Sequence, residues 1–166
     1  MKRIHVALGL LAVCSVIVGT ASLIAAQADE KEKVPAAARK ELAAARAATA
    51  KYHDVQQALA DGYELLGYVP GEGFEYVNFS LIDCNFDPTQ PEALHYIQSG
   101  NRLRLVGVEY AVLVACTPTE EPKGFSGDAD EWEFMAEGFP IWALNAWIWM
   151  GNPNGIFAEP PHPRIP

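Results

Sequence analysis

The sequence predicts an α+β domain, with one long N-terminal helix packed on a mostly antiparallel sheet of four to five strands. Two observations indicate this class. Residues 35–60 are rich in strong helix formers, and their apolar side chains recur at three- and four-residue spacing. After Gly62 the hydrophobic period falls to two, and glycine and proline become frequent, as in short strands joined by turns.

The predicted helix begins at Pro35, which suits a first helical turn because the missing N–H would be unpaired there anyway. It ends at Gly62, a residue that favours a left-handed cap. Because many residues of the apolar stripe are alanines, we expect the helix to lie flat on the sheet. The stripe consists of Leu42, Ala45, Ala48, Tyr52, Val55 and Leu59.

Alternating and continuous apolar segments predict the strands that follow. The segments 93–98 and 102–115 are joined by Ser99-Gly100-Asn101, which is typical of a hairpin. The segment 140–150 is apolar on both faces, as in a central strand. The remaining strands are predicted at residues 74–82 and 132–135.

The N-terminus has the pattern of a secretory signal peptide. Lys2 and Arg3 precede an apolar run over residues 6–26, and Ala26-Gln27-Ala28 forms a small-x-small cleavage site. We therefore divide the chain into a signal peptide (1–28), a flexible lead-in (29–34), a single domain (35–158) and a proline-rich tail (159–166). Cleavage would make the protein secreted or periplasmic. The alternative is an uncleaved anchor, because the run has about the 20 residues that a membrane span requires.

The mature chain is strongly acidic. Lys2 and Arg3 leave with the signal, so ten of the 12 basic residues remain against 21 acidic ones, for a net charge of −11. Such a chain is repelled by nucleic acid and by anionic lipid. We therefore expect no nucleic-acid partner, and membrane contact only through the signal segment if it is not cleaved.

Two cysteines remain after cleavage, Cys84 and Cys116. In an oxidising compartment two cysteines in a small domain usually pair. The bridge would close a loop of about 30 residues and stabilise the fold by roughly 3–4 kcal/mol in the chain-entropy model. Two buried free thiols are the alternative. A metal or nucleophile role is less favoured, because neither cysteine has a histidine or second cysteine at ligand spacing.

The sequence carries no strong catalytic signature, since GxSxG, HExxH, CxxC and P-loop patterns are all absent. Three polar residues, however, share strand faces with apolar side chains: Glu75, Glu109 and Asn145. A buried carboxylate needs a cation, a metal or good donors. If the three faces converge, these residues form a polar cluster in an apolar pocket, as expected of a ligand site.

Each of these residues also has a structural interpretation. Glu75 could lie on the outer face, and a bulge at Gly107 could turn Glu109 away from the cluster. Asn145 could simply satisfy backbone groups. Among the histidines only His95 is a candidate to line a site, because the others belong to the signal, the polar flank of the helix and the proline-rich tail. Trp147 could stack on a ligand, although clustered tryptophans more often form core.

Several segments together resemble a family of small secreted bacterial proteins of unknown function. The resemblance covers about residues 45–158, and its segments are ALADGY (58–63), YVN (76–78), PEAL (91–94), LVGVEY (105–110) and NPNGIFA (152–158). The family pattern has histidines at the positions of Glu75 and Asn145 and retains the carboxylate of Glu109. A His/Glu/His set implies a metal site. This chain lacks both histidines, so the resemblance implies a single secreted domain without naming a reaction.

These observations favour a secreted or periplasmic protein that binds a small ligand or a cation. The site would use Glu109, Glu75 and Asn145 with His95 and Trp147. Carboxylate and amide oxygens favour a hard divalent cation such as calcium or magnesium over zinc. One alternative is a non-catalytic interaction domain that uses the proline-rich tail or a sheet edge. Another is a hydrolase or lyase with Glu109 as general base and Glu75 as its acid partner.

Overall fold

The structure is a computed structural model that describes residues 34–136 and 138–166. The predicted signal peptide and nearly all of the lead-in lie outside the described residues. Residues 34–166 form one compact unit. Within the described part of the chain, no helix has the length and apolar character needed to cross a membrane.

The predicted mixture of helix and antiparallel sheet is confirmed, but the sheet has six strands instead of four to five. Their order across the sheet is β1-β2-β3-β4-β6-β5, and every neighbouring pair is antiparallel. The strands are β1 (Glu64–Val69), β2 (Gly73–Val77), β3 (Ala93–Ser99), β4 (Arg102–Leu113), β5 (Glu133–Met135) and β6 (Ile141–Ala146).

β1 is not among the predicted strands, because its apolar residues do not alternate with polar ones. Leu65, Leu66 and Tyr68 are all exposed on this edge strand. A bulge between Leu65 and Gly67 also shifts the register with β2 and breaks the period of two. The strand is identified by its backbone pairing with β2, which no side-chain pattern reports.

The prediction of one long helix over residues 35–60 is wrong. The segment forms α1 (Ala36–Thr49), a 3₁₀ helix (Ala50–His53) and α2 (Val55–Ala60). Asp54 interrupts the helix with an extended backbone, and its side chain accepts a hydrogen bond of 3.0 Å from the Gln56 N–H. Because this cap satisfies an N–H that would otherwise lack a partner, it stabilises a new helix start and competes with a continuous helix.

The sheet has two differently covered faces. On the first face, α1 and the aromatic residues of the central strands form the main core. It includes Leu42, Leu94, Tyr96, Val108, Tyr110 and Leu144. On the second face, Val106, Trp147 and Ile165 form a smaller apolar cluster beside a polar patch. The candidate site lies on this second face.

Two predicted strands are shorter than expected, because near their ends hydrogen bonds to loop residues take over from strand pairing. β2 stops at Val77, and the side-chain amide of Asn78 then donates to the Asp61 carbonyl at 3.0 Å. β6 stops at Ala146, and the Trp147 N–H donates to the Ile156 carbonyl at 2.8 Å. Trp147 therefore belongs to the loop that follows the strand.

Cys84 and Cys116 form the predicted disulfide, with a Cα–Cα distance of 5.6 Å. The bridge joins the loop after β2 to the loop after β4. Beside it, the Leu113 N–H donates to the Asp83 carbonyl at 2.9 Å. The disulfide therefore closes the part of the domain where two long loops leave the sheet.

Residues 159–166, which we call the C-terminal strap, pack on the second face of the sheet. Ile165 belongs to the small apolar cluster there, and His162 is fully buried. The proline-rich composition of this segment predicts a tail, because proline is confined to the edges of sheets and to loops. A partner that recognised the segment would have to displace it from the sheet.

Candidate metal centre

The register of the sheet brings the predicted polar residues together on the second face. Glu75 is opposite His95 across β2 and β3. Glu109 is opposite Asn145 across β4 and β6. His95 and Glu109 are linked through β3, because Ala93, two residues from His95, is opposite Glu109. Directly opposite residues of an antiparallel sheet point to the same face, so all four side chains share one patch.

The bulge considered at Gly107 is present, but it leaves Glu109 on this face. The register shifts where His95 is opposite Gly107 and Tyr96 is opposite Leu105, so that Val106 is the extra residue. Two successive residues of β4 then face the same side, and alternation resumes before Glu109. Val106 consequently packs with Trp147 in the small apolar cluster.

His95 lies between two carboxylates and is completely buried. Its Nε2 is 3.4 Å from Glu109 Oε2, and its Nδ1 is 3.6 Å from Glu72 Oε2. Neither ring nitrogen has a hydrogen-bond partner. Both distances exceed the usual 2.7–3.2 Å of an N–H···O hydrogen bond. The imidazole therefore lies between two acceptor oxygens and is hydrogen-bonded to neither of them.

Glu72 is the site residue that sequence analysis missed. It lies in the turn between β1 and β2, flanked by Gly71 and Gly73, whose φ angles are +82° and +98°. A Cβ on Gly73 would approach the Tyr96 carbonyl oxygen to 2.3 Å, so only glycine fits there. The only sequence signal for this residue is an acidic side chain between two glycines, a pattern typical of a turn.

Burial raises the pKa of two carboxyl groups in the patch. It raises the pKa of Glu72 to about 7, against the opposing attraction of His95. Burial, together with the charge of Glu109, raises the pKa of Glu75 to about 6. For His95, burial disfavours the charged ring, but the surrounding carboxylates outweigh it and raise the imidazole pKa. A divalent cation would compete with the protons that these groups hold near neutral pH.

Asn145 adds an amide oxygen to the same patch. Its side chain is 7 % exposed, and its Oδ1 is buried without a hydrogen-bond partner. Leaving a buried acceptor unpaired costs roughly 1–3 kcal/mol. The oxygen is therefore an available acceptor for a cation or for a ligand N–H or O–H group.

Trp147 forms a wall beside His95. The two ring centroids are 5.9 Å apart, and the indole N–H donates to the Ala158 carbonyl at 2.7 Å. A Cβ on Gly107 would come within 2.9 Å of the indole ring, so the ring also packs against β4. Because Trp147 is only 2 % exposed, it supports His95 and has little surface on which a ligand could stack.

The resulting donor set could hold a metal ion. Glu72, His95 and Glu109 each offer one ligand atom, and these atoms lie within 4.8 Å of one another. Two carboxylates and one imidazole are all common metal ligands. Negative charge extends to the rim of the site, because Glu133 on β5 interacts electrostatically with Glu72 and Glu109. This charge favours the approach of a cation.

Comparisons with known proteins do not add to this evidence. No family model, no curated protein and no solved structure matches the chain. The resemblance to small secreted bacterial proteins therefore remains a prediction, and any function must be argued from the site itself.

Proposed function

We propose that this protein binds a divalent metal ion through Glu72, His95 and Glu109, with the Asn145 oxygen as a further ligand. The observation that carries the proposal is the environment of His95. Its two buried nitrogens face carboxylates at 3.4 and 3.6 Å and have no hydrogen-bond partner. A buried polar group without a partner is costly. A cation bound by one ring nitrogen and the carboxylates would give that nitrogen a partner, while the other ring nitrogen would keep its proton and face the adjacent carboxylate.

The ligand types favour a cation of the hard class. Three oxygen ligands suit magnesium, calcium and manganese, whereas imidazole also suits iron and zinc. Manganese best matches a set with several oxygens and one nitrogen. Because zinc generally binds mixed sites more tightly than manganese, the affinities must be compared directly.

The proposal is tested by titrating the chelator-treated mature protein with manganese, magnesium, calcium and zinc in a calorimeter. Native mass spectrometry would then count the bound ions. We expect one ion per chain. The Glu109→Gln variant keeps the size of the side chain but removes its charge, and should weaken manganese binding by about tenfold or more. The matched control is Glu133→Gln, which removes an acid at the exposed rim and should have a much smaller effect.

Two results would contradict this function. One is a wild-type protein that binds none of the four ions at millimolar concentration. The other is a Glu109→Gln protein that binds manganese as tightly as the wild type while its melting temperature is unchanged.

We further propose that the protein functions outside the cytoplasm. The Cys84–Cys116 disulfide supports this location, because such bonds persist in oxidising compartments. The predicted signal peptide supports it independently. N-terminal sequencing of the exported protein should begin at Asp29, and a chain that starts at Met1 and sediments with membranes would contradict cleavage.

A hydrolase or lyase is the second candidate function, and the position of Glu75 favours it. Glu75 shares the face of Glu109 but does not belong to the Glu72, His95 and Glu109 set. Its pKa of about 6 is suitable for a group that exchanges protons near neutral pH. A Glu75→Gln variant of an enzyme should keep the metal and lose turnover of chromogenic phosphate esters, carboxylic esters or glycosides. Absence of turnover by the metal-loaded wild type on all three classes would count against catalysis.

A further inference from the structure

The C-terminal strap contacts the residue that precedes the proposed metal ligand Glu72. The Gly71 N–H donates to the Pro166 carbonyl at 3.1 Å, and the Gly71 carbonyl accepts from the His162 N–H at 2.8 Å. Both backbone groups of Gly71 are therefore bound by the strap. A Cβ on Gly71 would lie 2.3 Å from the Pro161 side chain, so the two segments are in close contact.

The strap is itself anchored beside the site. Ile165 packs with Val106 and Trp147, and the ring of His162 lies edge-on to Trp147 with 4.8 Å between centroids. Trp147 in turn lies against His95. A continuous set of packed side chains therefore connects the strap to the central ligand of the proposed metal centre.

The turn that carries Glu72 has few restraints of its own. Its internal contacts are the pairing of Val69 with Gly73 at the ends of β1 and β2 and a hydrogen bond of 3.0 Å from the Glu72 N–H to the Val69 carbonyl. Glycines flank Glu72 on both sides, and glycine has the greatest backbone freedom of any residue. β1, which leads into the turn, is a bulged edge strand with several exposed side chains. The position of Glu72 thus depends on contacts from outside the turn.

We propose that the C-terminal strap is a clamp that positions Glu72 for metal binding, and that metal binding in turn tightens the strap. The inference rests on the proposed metal-binding function. If the docked strap raises the affinity for the metal, thermodynamic linkage requires that the bound metal raises the affinity of the strap for the sheet by the same factor. Gly71, Pro161, His162 and Ile165 are then positioning residues, and none of them contacts the ion.

The test compares manganese affinity in the wild type, in Ile165→Asp, and in a chain that ends at Ala158. Placing a charge in the apolar anchor, or deleting the strap, should release Gly71 and weaken manganese binding by about 5- to 150-fold, the usual range of site coupling. The matched control is Pro163→Ala, an exposed position of the strap, which should bind manganese as the wild type does.

A double-mutant cycle separates positioning of Glu72 from a general effect on the fold. In a Glu72→Gln background the carboxylate is already lost, so Ile165→Asp should weaken manganese binding little further. If the two effects multiply, the strap acts on the fold in general and the clamp is wrong.

Hydrogen exchange of the wild-type protein provides a measurement that needs no destabilised variant. Manganese should slow exchange in peptides that contain the Gly71 and His162 amides, because both donate hydrogen bonds between strap and turn. Unchanged exchange in these peptides at saturating manganese would overturn the clamp while leaving metal binding intact. A wild-type protein that binds no metal would overturn both proposals.

Discussion

At the scale of single residues, one patch of the sheet contains several buried polar groups, some of which have no hydrogen-bond partner. His95 is enclosed by acidic side chains, and the amide oxygen of Asn145 lacks a partner nearby. Most domains avoid such a combination, because buried charges and unpaired acceptors lower the stability of the fold. Groups of this kind are therefore typical of functional sites, where a ligand supplies the missing interactions.

The pKa of Glu72 predicts how metal affinity depends on pH. A ligand carboxyl with a pKa of about 7 is largely protonated at pH 6, so a cation must displace its proton. We expect manganese affinity to rise by several-fold to tenfold for each pH unit between 5.5 and 7 and to level off once both Glu72 and His95, whose imidazole pKa is also raised by the surrounding carboxylates, have lost their protons. Calorimetry across this range provides the measurement. Glu72→Gln should bind more weakly and show a flatter profile, and an unchanged slope would contradict the assignment of the titrating group.

Raised carboxyl pKa values also predict how the stability of the metal-free protein depends on pH. The pKa values of Glu72, Glu75 and Glu92 are raised by burial to about 7, 6 and 8. The folded chain therefore binds more protons than the unfolded chain between about pH 5 and pH 8, and its free energy of unfolding should fall as the pH rises through this range. Urea titrations across this pH range measure the fall in the free energy of unfolding. Manganese should offset part of this fall at pH 8, whereas a flat pH profile would contradict the burial of these groups.

At the scale of elements, bulges and turns decide where side chains point. The extra residue Val106 in β4 turns two successive positions to the second face and allows Trp147 to approach the strand at Gly107. The glycine-flanked turn between β1 and β2 places Glu72 beside His95. Strand periodicity identified Glu75, Glu109 and Asn145 because these residues lie within regular strands. It could not identify Glu72, because a turn has no period that relates its side chains to a face.

Gly107 and Gly67 make a matched pair for testing the packing behind His95. A Cβ on Gly107 would lie 2.9 Å from the Trp147 ring, whereas a Cβ on Gly67 in β1 would meet nothing within 4 Å. Gly107→Ala should therefore destabilise the protein by about 1–3 kcal/mol, the usual cost of overpacking. Gly67→Ala should change the free energy of unfolding by less than about 0.5 kcal/mol. Urea denaturation compares the two, and equal effects would show that the Gly107 contact is unimportant.

At the scale of the whole molecule, the two faces of the sheet divide stability from chemistry. The first face contains the large apolar core under α1, and the second contains the acidic site and the strap. The disulfide joins the loops that follow β2 and β4, at the opposite end of these strands from the glycine-flanked turn. The disulfide can therefore be altered with a limited effect on the acidic site.

Replacing both Cys84 and Cys116 with serine should lower stability without abolishing metal binding. The bridge spans 32 residues, and the chain-entropy model gives a loss of roughly 3–4 kcal/mol for a loop of that size. Neither cysteine belongs to the candidate metal site. Thermal unfolding should shift to a lower temperature, while manganese affinity at 10 °C stays within about twofold of the wild type. A large loss of affinity in the folded variant would mean that the loops shape the site.

The sequence by itself predicted the α+β class and the disulfide partners, and it identified Glu75, Glu109 and Asn145 as polar residues on apolar strand faces, whereas the register of the sheet brought them together with His95. These predictions depend on local period, on cysteine count and on alternation along single strands, all of which are properties of short segments. The tertiary structure decided the break in the helix at Asp54, the sixth strand, the role of Glu72 and the docking of the C-terminal strap. These features depend on competition between a local cap and a longer helix, or on backbone pairing and close packing between distant segments. Such interactions leave no periodic signal in the residues that make them.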